Sequence, residues 1–163
     1  MTAQRSTVAT GRTIILQPGE GRLLPGPGGI TLKATGDETA GSLGFIEATS
    51  PPGFGPPRHI HHKHDELFYV LAGEFRFLVD EEIVDASPGT FVFVPRGTVH
   101  TLKVIGDEPG ARVVAFVPGG AERVFEELAR LAASHGGPAA TNYEQMRAVA
   151  AKYDSEFVGP PLY

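Results

Sequence analysis

Four histidines, His59, His61, His62 and His64, fall within six residues, and His100 follows in a second glycine-punctuated segment, so five of the chain's six histidines sit in two short stretches. Imidazoles at this density point to a metal site. Side chains on an extended strand alternate from face to face, so His59 and His61 share a face and arrive as a ready pair of nitrogen donors. Glu66 opens the apolar run Glu66-Leu-Phe-Tyr-Val-Leu71, which reads as a buried strand after a polar turn at His62-Lys-His-Asp65, and its carboxylate is placed to return toward that pair. The chain has no cysteine. Thiolate ligands and cysteine nucleophiles are therefore excluded, and a metal site is built from nitrogen and oxygen donors. His62 and His64 form a second pair on the opposite face of the same strand and are expected to point outward as solvated turn residues. His135, in the last turn of a helix, suits a structural role at the negative end of the helix dipole.

The elements that must position these residues are mostly strands. The 21 glycines and 14 prolines among 163 residues are spread as turn signals between short apolar runs, the punctuation of an all-β protein of one domain, residues 1–163. Residues 1–12 are polar and expected to be loose. The barrel, residues 13–118, reads as strands at Thr13 to Leu16, Arg22 to Leu24, Ile30 to Ala34 and Ser42 to Thr49. A stiff loop, Ser50-Pro-Pro-Gly-Phe-Gly-Pro-Pro57, then delivers the chain to His59. Further strands follow at Glu66 to Leu71, Glu74 to Val79, Ile83 to Ala86, Thr90 to Val94, His100 to Ile105 and Ala111 to Val117, at the spacing of an antiparallel sandwich or barrel. Residues 119–163 change period. Val124, Phe125, Leu128, Leu131 and Ala132 form a helical stripe, and Thr141-x-x-Glu144 reads as the capping box of a second helix. The two helices are expected to pack outside the barrel or to lid its mouth, and the tail residues Phe157, Leu162 and Tyr163 are too apolar to stand free in solvent.

A net charge of -5 and a pI near 5.6 argue against nucleic acid or an anionic membrane surface as partner, since the lysines and arginines are scattered and not gathered into a basic patch. No run of 18 apolar residues and no signal-peptide pattern is present, so the expected location is cytoplasmic and the expected partner a small molecule. The outward residues Leu67, Tyr69 and Leu71 are apolar on a strand whose other face looks inward. A covering partner, a symmetric homodimer, is expected.

The spacings Gly53-x5-His59-x-His61-x4-Glu66-x6-Gly73 and Gly89-x5-Pro95-x-Gly97-x2-His100, separated by 15 residues, resemble the two signature motifs of the cupin superfamily. One departure is Val104, where that family often has asparagine. The resemblance implies a small antiparallel jelly-roll barrel holding one metal by His59, His61, Glu66 and His100. Such a set suits Fe, Mn, Co, Ni or Zn as the divalent ion and does not choose among them. It leaves two adjacent positions on an octahedral ion, enough for a substrate oxygen and for O2 or water.

Pro56-Pro-Arg-His-Ile-His-His-Lys-His-Asp-Glu-Leu-Phe-Tyr-Val-Leu-Ala-Gly-Glu74, Phe91-Val-Phe-Val-Pro-Arg-Gly97 and the ending Ala151-Lys-Tyr-Asp-Ser-Glu-Phe-Val-Gly-Pro-Pro-Leu162 are similar to single-domain bacterial cupins of the quercetin 2,3-dioxygenase-like group. That likeness implies a dioxygenase acting on an enolic or polyphenolic, flavonol-like molecule, with Glu66 doubling as the base that takes the substrate hydroxyl proton. Strand alternation from Glu66 turns Phe68 and Val70 inward, and Phe75, Phe77, Phe91, Phe93 and Phe116 are further wall candidates for the substrate pocket. Two other functions fit the same residues. One is a non-redox cyclase or isomerase of small aromatic or polyketide-like molecules, in which the metal polarises a carbonyl; the other is a ligand-binding cupin without turnover.

Overall fold

The structure, a computed structural model, describes residues 11–25, 29–134 and 142–163. Residues 1–10 of the polar N-terminus, His135 and Thr141 lie outside the described residues. In chain order the elements are β1 (Arg22–Leu24), β2 (Ile30–Ala34), β3 (Gly44–Ser50), β4 (Arg58–His61), β5 (Asp65–Ala72), β6 (Glu74–Val79), β7 (Glu82–Ala86), β8 (Phe91–Val94), β9 (His100–Ile105), β10 (Gly110–Val117), α1 (Arg123–Ser134), α2 (Tyr143–Lys152) and β11 (Ser155–Gly159). They form two antiparallel sheets, β1-β2-β3-β10-β5-β8 and β11-β4-β9-β6-β7. From β3 to β10 the chain crosses repeatedly from one sheet to the other, so residues near in sequence face each other across the interior. The architecture is an all-β jelly-roll barrel with two C-terminal helices.

Alternation sets what each strand offers the interior. Glu66, Phe68 and Val70 of β5 are buried while Tyr69 and Leu71 are exposed, and β10 turns Gly110, Arg112, Val114 and Phe116 inward beside Ser50, Ala48, Ile46 and Gly44 of β3. Phe75 and Phe77 of β6 fill the space between the sheets with Phe68, whose ring meets Phe77 edge-on at 5.2 Å between centroids. Each such ring removed from water contributes about 1.5–3 kcal/mol. Gly73 ends β5 at φ +73°, where a side chain would also run into the Pro109 carbonyl, so only glycine makes the tight link to β6.

Several expectations fail for identifiable reasons. Thr13 to Leu16 forms no strand: among the described residues it has no ladder partner, and it leaves Ile15 exposed, with Arg12 held to Glu38 instead. The second helix is capped by Asn142, whose side chain accepts from the Gln145 backbone while the Gln145 side chain accepts from the Asn142 N–H. The capping box therefore lies one residue later than Thr141-x-x-Glu144. The tail is neither simple packing nor a free end. Ser155–Gly159 becomes a strand added beside β4, Phe157 is half-buried, and Tyr163 stands 94% exposed. The outer face that carries Tyr69 and Leu71 is exposed and is extended by Phe91 and Phe93 of β8.

The helices close one end of the barrel. Glu122, wholly buried just before α1, accepts hydrogen bonds from the Gly36 and Gly120 backbone N–H groups, each at 2.7 Å, and its carboxylate occupies the space a side chain on Gly44 would need. A buried carboxylate satisfied this way fixes where α1 begins relative to β3.

Candidate metal centre

His59 and His61 lie on β4, and His100, at the start of β9, is the cross-strand partner of His59. Glu66 comes from β5 in the other sheet, so the four donors clasp the two sheets together. His61, Glu66 and His100 are buried and His59 is half-buried. One ligand atom from each of the four lies within 4.8 Å of all the others. Glu66 Oε2 stands 2.7 Å from His100 Nε2, 3.0 Å from His61 Nε2 and 3.9 Å from His59 Nε2. Metal–nitrogen bonds of about 2.1 Å place adjacent donors about 3 Å apart, so a small ion fits among these atoms with modest movement.

The far side of each imidazole is tied down. His59 Nδ1 donates to the Pro57 carbonyl at 2.8 Å and His100 Nδ1 to the Thr98 carbonyl at 3.0 Å, which aims both Nε2 atoms at the shared point. His61 Nδ1 meets Ser155 Oγ at 2.8 Å, and that hydroxyl donates on to the Tyr153 carbonyl. Such outer partners orient ligands and raise their basicity. Phe116 supports the His61 ring at 5.4 Å and Phe157 the His59 ring at 6.3 Å between centroids. Asp65, just before Glu66, is gripped by Arg96 of the second glycine-rich segment through both carboxylate oxygens, and these hydrogen bonds hold its carboxyl down at about 2.

Electrostatics within the cluster favour an added cation. Burial, reinforced by His100, holds His59 neutral with a pKa of about 3. For Glu66 burial alone raises the pKa, but the charge and hydrogen bonds of His61 and His100 outweigh it and keep the carboxylate ionised, well below the usual range. His100 is displaced upward: burial pulls it down, and the hydrogen bond and charge of Glu66 more than reverse that. A divalent ion at the shared point would supply the positive charge that Glu66 draws from His100. Three neutral imidazole nitrogens and one carboxylate oxygen are donors suited to first-row transition ions.

Above the donors opens a cavity of about 530 Å³ between the sheets, roofed by α1 and α2 through Phe125, Leu128 and Met146. Phe68 lines it. The other proposed wall residues do not. Val70, Phe75, Phe77 and Phe116 are buried behind the lining, in the core. Phe91 and Phe93 are 58% and 49% exposed, because β8 pairs them with Tyr69 and Leu67 on the outer face of β5 while Val94 takes the inward place opposite Glu66. His62 is exposed, beside Glu156 at 2.9 Å. His64, expected outward as well, is buried: β4 ends at His61, alternation lapses in the turn, and His64 Nδ1 meets the Pro118 carbonyl at 2.7 Å. Neither joins the cluster.

Two residues that no local pattern singles out line the same cavity. Ser155 becomes visible only once β11 pairs with β4, and Arg112 sits among apolar neighbours in β10 with nothing in its spacing to mark it. Ser155→Ala is expected to weaken metal binding about 10–100-fold by freeing the His61 ring, measured by competition with a chelator of known affinity. Unchanged affinity would show that the hydroxyl is incidental.

Comparison with known proteins agrees with this geometry. The family model described as a cupin domain matches residues 46–117. Quercetin 2,3-dioxygenase of Bacillus subtilis is 33% identical over 116 residues, 70% of this chain and 34% of that protein, and an uncharacterized protein of Methanocaldococcus jannaschii is 30% identical over 65 residues, 40% of this chain and 52% of that protein. The chain thus spans between a third and about half of the length of these curated relatives. Among solved structures, an RmlC-like cupin from Shewanella frigidimarina superimposes with a TM-score of 0.59 at 19% identity, covering 71% of this chain and 99% of that one. KdgF from Halomonas sp. gives 0.58 at 20%, covering 70% and 99%. At these identities the likeness is one of fold. With both motifs seated on a two-sheet barrel and their four donors converging inside it, the chain carries a cupin domain.

Proposed function

We propose that the chain is a metal-dependent dioxygenase acting on an enolic or polyphenolic, flavonol-like small molecule, with Glu66 serving both as ligand and as base. The observation that carries this reading is the opening of the three-histidine, one-glutamate cluster onto a predominantly apolar cavity of a size suited to a small aromatic molecule. Support also comes from the Bacillus subtilis relative named quercetin 2,3-dioxygenase. A bound divalent ion would supply Lewis acidity that acidifies a substrate hydroxyl and, in a redox-capable ion, a place for O2. Glu66 is the carboxylate that would accept the hydroxyl proton at the metal end of the cavity, and its ionised state supports that role. Because Glu66 is a weak base, the transfer depends on the acidified hydroxyl lying within hydrogen-bond reach. The apolar walls, Phe68 among them, keep bulk water from the developing enolate.

The test is oxygen uptake with quercetin by protein loaded separately with Fe, Mn, Co, Ni and Zn. Uptake is expected with a redox-capable ion and absent with zinc. Silence with every ion, across quercetin and simpler enols, would overturn the dioxygenase reading and favour a non-redox cyclase or isomerase.

A further inference from the structure

Inward from Phe116 along β10 come Val114 and then Arg112. Phe116 pairs with Glu66, so the Arg112 backbone lies four residues, about 13 Å, farther along the barrel than the metal level. Its side chain is only 7% exposed, lines the cavity together with Ser50, and is surrounded mainly by apolar walls. Among the described residues one hydrogen bond holds the guanidinium, from Nη1 to Ser50 Oγ at 3.0 Å, and its buried Nε has no partner. Phe75 lies under it at 5.5 Å, which stabilises the charge but accepts none of its in-plane N–H groups. No carboxylate of the described residues pairs with it directly. Burial draws its pKa down to about 10, against the pull of Glu66, so at neutral pH it remains charged.

A buried guanidinium with an idle Nε edge is costly as a structural device, because charges taken from water need partners for their donors. The fork of N–H groups matches the two oxygens of a carboxylate. We propose that Arg112, steadied by Ser50, is the receptor for a carboxylate on the substrate, which therefore is an acid carrying an apolar or aromatic body that reaches from Arg112 toward the metal centre. This rests on the cavity being the substrate site, as in the proposed function, and refines its substrate: a carboxylate-bearing enol or phenol fits better than a neutral flavonol. The metal end takes the enolic oxygen, the apolar middle accepts the ring system, and the opposite end selects for the acid.

The experiment compares 3-phenylpropionate with 3-phenylpropanamide by calorimetric titration into the zinc-loaded protein and into Arg112→Met. The carboxylate is expected to bind wild type at least about tenfold more tightly than the amide, about 1.4 kcal/mol, and that preference is expected to vanish in Arg112→Met while zinc content stays at the wild-type level. Equal binding of acid and amide by wild type overturns the proposal. So does a preference that survives in Arg112→Met, since it would mark a carboxylate attracted to the metal instead. Should Arg112→Met not fold, a crystal structure of wild type with 3-phenylpropionate decides: a carboxylate within hydrogen-bond distance of the Arg112 guanidinium supports the assignment, and one on the metal or outside the cavity refutes it. Failure here and failure of the dioxygenase reading are separable. Protein that consumes no oxygen yet keeps an Arg112-dependent preference loses only the redox chemistry, whereas quercetin turnover undiminished in a protein indifferent to the carboxylate loses only the acid receptor.

Discussion

Glu66→Gln is expected to leave a folded barrel that binds a divalent transition ion at least about a hundredfold more weakly than wild type, and that turns over the proposed enolic substrate about 10²–10⁴-fold more slowly even at saturating metal. The two losses have different causes. Glutamine keeps the size and one oxygen but removes the charge that Glu66 directs at His61 and His100, the charge a cation would share. Loss of an outer partner alone typically weakens metal affinity 10–100-fold, so a charged direct ligand belongs at or beyond the upper end. The turnover loss reflects a carboxamide's inability to accept the hydroxyl proton. Metal content after dialysis and oxygen uptake at saturating ion measure the two separately. A Gln variant with wild-type metal affinity would remove Glu66 from the ligand set.

Phe77→Ala is expected to destabilise the protein by about 3–5 kcal/mol, equivalent to a fall in Tm of about 6–20 °C for a chain of this size. Phe77 is 1% exposed and is paired across β6 with Val84 and Leu102, so its truncation leaves a void that neither flanking strand can close without breaking its ladder. Its ring also supports Phe68, which in turn meets the His100 ring at 6.3 Å between centroids. Some of the disturbance should therefore reach the ligand, appearing as weaker metal binding in variants that remain folded. Thermal unfolding with and without added zinc checks both parts. A shift under about 2 °C would show that the core around Phe77 repacks freely.

The clustering of these four residues was legible because their spacing leaves a discontinuous but rigid trace: the His59/His61 alternation, the return at Glu66 and the glycine-framed His100 all converge inside the barrel. The same alternation located the strands from β5 to β10 within a residue or two. It misled wherever a strand had ended or its partner was unknown. His64 turned inward because the turn after β4 has no alternating faces, and Phe91 and Phe93 turned outward because register with β5, which no local pattern reveals, determines the facing of β8. Thr13 to Leu16 has strand-like composition but, among the described residues, no neighbour to pair with. The role of the 155–159 segment was hidden for the opposite reason: its strand exists only by virtue of β4, far away in the sequence.

That last pairing gives the site a history during synthesis. His61 takes its hydroxyl partner from a residue 94 positions later, and β4 has β11 along one of its edges. At ribosomal rates of about 5–20 residues per second, the histidines emerge roughly 5–20 seconds before the serine that orients one of them. Over that interval the nascent chain exposes clustered imidazoles without the hydroxyl that orients one of them. The finished geometry of the candidate metal centre is thus available only once β11 has joined β4.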